Sequence, residues 1–126
     1  MKVVLEFRPE FSGTPILDVV TPADPSAAFI VGYVRTELGS YGVAESLRER
    51  IMEIISGTRA PTEGNTEDHW QQINAKTVSI SKLFDEIPNP EPEVTDVTMP
   101  IEDFVDVLDQ WIAFMKAYPY HAPVIR

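Results

Sequence analysis

The chain has 126 residues, no cysteine and a formal net charge of −10 at pH 7. This length fits one domain, and an apolar fraction of 44% is enough for a folded core. The lack of cysteine excludes disulfides, thiolate metal ligands and cysteine nucleophiles. The negative charge argues against a surface that binds nucleic acid or anionic lipid.

The first 20 residues predict a β-hairpin. Val3, Leu5 and Phe7 alternate with other residues in the pattern of a half-buried strand. A turn-rich stretch over residues 9–13 separates them from a second predicted strand over 14–20, so an antiparallel pairing is the shortest connection. This start lacks the apolar core of a signal peptide, and no run reaches the roughly 18 to 20 apolar residues of a membrane span. We therefore expect a cytoplasmic protein.

The next segment, residues 26–38, admits two interpretations. Asp24 as N-cap and Pro25 at the first helical position favour a helix. The β-branched residues within 29–34 favour a strand instead. We prefer the helix.

A second helix is predicted to begin at Ser40 or Gly42 and to end at Gly57. Its apolar residues recur at helical spacing. They are Val43, Leu47, Ile51, Ile54 and Ile55. The polar stretch over residues 58–68 predicts a surface loop.

Two short strands are predicted over 69–73 and 77–83, with Val78 and Ile80 marking the buried face. The three prolines within 88–93 cannot continue a central strand, so we expect an extended connection there. Residues 94–99 are predicted to rejoin the sheet.

The last predicted element is an amphipathic helix that starts at Pro100. Acidic Glu102 and Asp103 suit its first turn, and Lys116 suits its last, because these charges complement the helix dipole. Its apolar face comprises Ile101, Phe104, Val105, Leu108, Trp111, Ile112 and Met115. Its outer face comprises Asp106, Asp109 and Gln110. The elements together predict one α+β domain over 1–126, an antiparallel sheet with helices packed on one face and a long C-terminal helix.

Catalytic motifs are scarce. The two histidines, His69 and His121, lie in no recognised metal or nucleophile pattern, and the chain has no phosphate-binding glycine loop and no GxSxG sequence. Hydrogen-bonded structural roles are the simpler interpretation for both histidines. We expect no metal, no cofactor and no enzymatic activity.

The charge is concentrated in one segment. Between Leu83 and Met115 there are nine acids and no lysine or arginine, whereas the rest of the chain carries 11 acids and 10 bases. Such a field attracts basic partners. Solubility alone is the simpler explanation of the charge.

A series of motifs runs through about residues 45–116. Its members are Ile54-Ile55-Ser56-Gly57, Gly64-Asn65-Thr66, Trp70, the run over 77–86, the run over 99–104, Leu108, Trp111 and Phe114. The series resembles small bacterial immunity proteins of the kind paired with contact-dependent growth inhibition and related polymorphic toxins. The resemblance implies a cytoplasmic protein that binds a cognate toxin domain, often a nuclease, and blocks it.

Our first hypothesis is an immunity protein whose acidic face covers the basic active-site surface of its toxin. The expected steering and rim contacts are Asp85, Glu86, Glu91, Glu93 and Asp96. Trp70 is a candidate anchor, although burial in the core is the simpler role for it. The alternatives are a housekeeping interaction module, such as a homodimer, and an enzyme that uses His69 beside a carboxylate in a cleft.

Overall fold

The order of elements is ββααββββα. The computed structural model describes residues 3–9, 15–19, 24–39, 41–83 and 96–117. The strands are β1 (Leu5–Pro9), β2 (Pro15–Val19), β3 (Thr62–Asn65), β4 (His69–Ile73), β5 (Thr77–Lys82) and β6 (Asp96–Pro100). The helices are α1 (Pro25–Glu37), α2 (Tyr41–Ser56) and α3 (Ile101–Ala117).

All strand pairs within the described ranges are antiparallel, and they form two sheets. The predicted N-terminal hairpin is confirmed as a separate β1–β2 sheet, while β3, β4, β5 and β6 pair in that order. One face of the four-stranded sheet is buried, through Ile73, Val78, Ile80, Val97 and Met99. Helices α1 and α3 contact this sheet, whereas α2 packs chiefly on α3. The predicted α+β class is confirmed.

Helix α1 settles the ambiguity over residues 26–38. Asp24 caps it, accepting a hydrogen bond from the Ser26 amide at 2.9 Å, and Pro25 is its first residue. The β-branched Ile30, Val31 and Val34 of the alternative strand are instead buried on the helix. Local capping and tertiary burial therefore outweigh the β-propensity of this segment.

Helix α2 ends at Gly57 as predicted, because that residue adopts a positive φ of 85°. The Gly57 amide donates to Ile54 O and the Thr58 amide to Glu53 O, the two bonds of a Schellman motif. The predicted apolar face was partly wrong, since Val43 is 45% and Ile55 44% exposed. The buried stripe consists of Ala44, Leu47, Ile51 and Ile54. Of the two predicted starts, Gly42 lies inside the helix and Ser40 lies outside the described residues.

The prediction of a loop over 58–68 was wrong, because β3 lies within it. Gly64 and Asn65 have weak β-propensity, and only Thr62 of the strand is partly buried. Backbone pairing with β4 therefore defines this strand. The sequence of β3 has no alternating apolar pattern from which a strand could be predicted.

Helix α3 buries more than its predicted face, adding Val107 and Phe114, while Val105 is partly buried. Pro100 is the last residue of β6 rather than the start of the helix. Gln110 was wrongly placed on the outer face. Its Oε1 accepts from the Leu5 amide at 2.8 Å and its Nε2 donates to Val3 O at 3.0 Å. This side chain therefore fastens the start of β1 to α3.

Candidate functional site

The strand register brings the predicted binding residues Trp70 and Asp96 together at one end of the four-stranded sheet. Trp70 of β4 pairs with Ser81 of β5, and Ser81 pairs with Asp96 of β6. Adjacent strands lie about 4.8 Å apart, so the Trp70 and Asp96 backbones are roughly 10 Å apart. The three side chains share the sheet face opposite the core, with Trp70 and Ser81 half-buried and Asp96 exposed. We call these three residues the Trp70 row.

The other predicted acids, Asp85, Glu86, Glu91 and Glu93, lie outside the described residues, as does His121. The described residues end at Leu83, directly after β5, and resume at Asp96, the first residue of β6. Both points lie beside the Trp70 row, because Ser81 and Asp96 are register partners. Residues 84–95, which include these four acids, therefore connect two points at this same end of the sheet.

The core-facing side of this end forms a cleft of about 380 Å³ between α1 and the sheet. His69 and Lys82, which are register partners, contribute to it from the sheet. The remaining lining residues are Phe29, Gly32, Tyr33, Thr36 and Asp68. The cleft and the Trp70 row are thus the two faces of one sheet end.

A hydrogen-bonded trio lies at the cleft. The His69 Nδ1 atom is 2.7 Å from Oε2 of Glu37, and the Thr66 hydroxyl donates to the same oxygen at 2.5 Å. Thr66 Oγ1 in turn accepts from the amides of Asp68 at 3.3 Å and His69 at 3.1 Å. The trio therefore links Glu37, the last residue of α1, to the short connection between β3 and β4.

Aromatic rings surround His69. The rings of Phe29 and Tyr33 meet the imidazole edge-on, with centroids 5.9 and 5.2 Å away. The Tyr33 hydroxyl hydrogen-bonds Oε1 of Gln71 on the same sheet face. Burial, followed by the negative charge of Glu37, raises the pKa of Tyr33 above its ordinary value. Tyr33 is therefore a neutral part of the cleft wall.

This arrangement can bind a ligand or move a proton. The Thr66 hydroxyl donates to Glu37 and to the His69 carbonyl oxygen rather than to the His69 ring, so the imidazole does not act on this hydroxyl as a base. No group of three or more acidic or histidine side chains within the described ranges is arranged to hold a metal ion. The histidine–carboxylate pair thus offers hydrogen bonding as its simplest chemistry.

Sequence reasoning treated His69 as a structural residue, with an enzyme that uses it beside a carboxylate as an alternative. It did not name Glu37, and it named Thr66 only within the motif Gly64-Asn65-Thr66. His69 is nearly buried, with 8% of its surface exposed, and it is hydrogen-bonded, which agrees with that interpretation. Its partner lies 32 positions away on another element. One signal was available, because strand alternation places His69 on the same side as the apolar Ile73.

Comparisons of the chain with protein-family models, curated proteins and solved structures find no match. Among the described residues, no helix has the length and apolar character needed to cross a membrane. The candidate functional features of the chain are therefore the Trp70 row, the cleft on the other face of the sheet, and the distribution of charge.

Proposed function

We propose that this chain is an immunity protein that binds a basic toxin domain, such as a nuclease, in the cytoplasm and neutralises it. The observation that carries the proposal is the Trp70 row. It combines a half-buried aromatic side chain with an exposed carboxylate, at the end of the sheet where the chain leaves towards residues 84–95 and returns at Asp96. Tryptophan is enriched among the residues that dominate binding energy, and a carboxylate beside it suits a basic partner.

The charge distribution supports a basic partner. The segment from Leu83 to Met115 holds nine of the 20 acids and no lysine or arginine. A field of one sign steers an oppositely charged protein and raises its association rate. The basic substrate groove of a nuclease is a surface of the required sign.

Some acids of this segment already have roles within the chain. Asp109 accepts a hydrogen bond from Arg48 Nε at 2.6 Å, and Asp106 accepts one from Gln110 at 3.0 Å. Glu102 and Asp103 stand in the first turn of α3, where they stabilise the helix. Asp96 and the acids of residues 85–93 are therefore the better candidates for contact with a partner.

A binding measurement tests the proposal. On this proposal a neighbouring gene encodes the toxin domain, and the full chain is titrated against an inactivated form of that domain, at low and high salt. We expect a one-to-one complex, with an association rate that falls as salt rises. We expect Trp70→Ala to weaken the complex at least tenfold, which corresponds to about 1.4 kcal/mol.

The matched charge variants are Asp96→Asn on the Trp70 row and Glu49→Gln on the exposed surface of α2. Asp96→Asn should slow association more than Glu49→Gln does. The absence of any complex contradicts the proposed function. Equal effects of the two variants contradict the assigned surface. A chain that self-associates and binds no toxin would favour the interaction module instead.

The Glu37–His69 pair favours a second candidate, an enzyme with His69 as general base. Turnover of simple ester or phosphodiester substrates, lost in His69→Gln, would support it. We prefer the binding function because the nearest hydroxyl to the pair, that of Thr66, is already committed to Glu37.

A further inference from the structure

Gly32 of α1 is an exposed part of the cleft lining and carries no side chain. A glycine inside a helix is destabilising relative to alanine. Neither packing nor backbone geometry requires one here, since a Cβ at Gly32 would meet nothing within 4 Å and its φ is not positive. Residues that break a local rule without a structural gain are typical of functional sites.

The hydrogen bonds around Glu37 fix which atom His69 presents to the cleft. Thr66 Oγ1 accepts from the amides of Asp68 and His69, and its hydroxyl donates to Glu37 at 2.5 Å and, at the longer distance of 3.3 Å, to the His69 carbonyl oxygen. The Glu37 carboxylate is thus an acceptor, and Nδ1 of His69 donates to it. In its neutral form the ring then carries a lone pair on Nε2, a hydrogen-bond acceptor.

The other groups of the cleft favour a cation. Asp68 contributes a carboxylate, and the partly buried Phe29 supplies an aromatic ring, which attracts cations placed over its face. Lys82, across the ladder from His69, is the one lysine or arginine in the lining. The Asp68 carboxylate, the acceptor Nε2 of His69 and the ring of Phe29 together match a planar, donor-rich guanidinium better than a compact ammonium.

We infer that this cleft receives an arginine side chain of the bound partner, with the guanidinium donating to His69 and Asp68 beside the ring of Phe29. The inference rests on the proposed function for the identity of the partner. The partner then contacts both faces of one sheet end, the Trp70 row outside and the cleft inside. Gly32 is the position that admits the side chain.

The cleft can be tested without the toxin. The full chain, labelled with ¹⁵N-histidine, is titrated with N-acetyl-arginine-methylamide and with the matching citrulline compound, which has the same shape but no charge. The ring signals of His69 and His121 are assigned with a His121→Gln variant. We expect a saturable shift of the His69 Nε2 signal with the arginine probe, and at least fivefold weaker binding of the citrulline probe.

Gly32→Leu places a side chain in the cleft, and Ala113→Leu places the same side chain on the exposed surface of α3. Binding of the arginine probe should fall at least tenfold in Gly32→Leu and stay within twofold in Ala113→Leu. No shift at His69, equal binding of the two probes, or unchanged binding in Gly32→Leu overturns the inference.

The toxin then separates the two proposals. If Gly32→Leu binds the toxin domain as tightly as the unmodified chain, the result supports the proposed function and contradicts the binding of a toxin arginine in the cleft. If the chain binds the arginine probe at His69 but forms no toxin complex, the result supports an arginine-binding cleft and contradicts the proposed function.

Discussion

Glu37 and His69 are 32 positions apart in the chain, yet the carboxylate of one and Nδ1 of the other are 2.7 Å apart. Both side chains are nearly buried, with 13% and 10% of their surfaces exposed. The bond joins the C-terminal end of α1 to the sheet end that carries both the cleft and the Trp70 row. The geometry of the proposed interface therefore depends on this pair.

Glu37→Ala should lower the free energy of unfolding by about 1–3 kcal/mol, because it leaves Nδ1 of the nearly buried His69 ring without its acceptor and removes the short bond from the Thr66 hydroxyl. Urea denaturation monitored by tryptophan fluorescence measures this change. Glu49→Ala, at an exposed position of α2, is the control and should shift stability by less than about 0.5 kcal/mol. Equal midpoints for the two variants would show that the pair is not a structural bond.

The same substitution at two glycines should have opposite effects. Gly32→Ala should stabilise the protein by about 0.5–1 kcal/mol, since the new methyl group meets open space and alanine favours the helix. Gly57→Ala should destabilise it by about 1 kcal/mol or more, because φ is +85° there. Thermal unfolding of both variants checks the two signs, and a shift in the same direction would be inconsistent with the described backbone.

Gln110→Ala should loosen the start of β1, because one side chain holds both the Val3 carbonyl and the Leu5 amide. We expect a loss of about 1–3 kcal/mol and faster hydrogen exchange of the Leu5 amide than of amides in β5. Ala113→Ser, at an exposed position of the same helix, is the control. Unchanged exchange at Leu5 in Gln110→Ala would argue against this connection.

Tyr33 should make the protein sensitive to alkali. Burial and the charge of Glu37 raise its pKa in the folded state, so it stays protonated where an unfolded tyrosine ionises, near pH 10. The unfolded state then binds fewer protons, and stability falls as pH rises above about 10, by up to about 1.4 kcal/mol per pH unit. Tyr33→Phe should flatten this slope between pH 9.5 and 11.5. The same slope in the variant would contradict the assignment.

The sequence alone predicted the helices and the hairpins, because their signals are local. Asp24 and Pro25 mark the start of α1, Gly57 marks the end of α2, and the apolar spacing over residues 101–115 marks α3. Strand β3 was not predicted because its residues are mostly polar. Its backbone pairs with that of β4, and such pairing leaves no apolar pattern in the sequence.

The site was less predictable than the fold, because its contacts are long-range. Trp70 and Asp96 were both named, but their shared row depends on the register of three strands. Gln110 fits the polar pattern of an outer helix face. Its hydrogen bond to the Leu5 amide depends on the position of β1, which the sequence of the helix does not give. The partner of His69 could not be read from its neighbours, since Glu37 belongs to another element.

The proposed function expects a toxin domain encoded by a neighbouring gene, and growth of cells that produce that domain is its most direct measurement. The unmodified chain and its Glu49→Gln variant should restore growth, and a Trp70→Ala, Asp96→Asn double variant that remains folded should restore it poorly. Failure of the unmodified chain to protect, or full protection by the double variant, would contradict neutralisation through the Trp70 row.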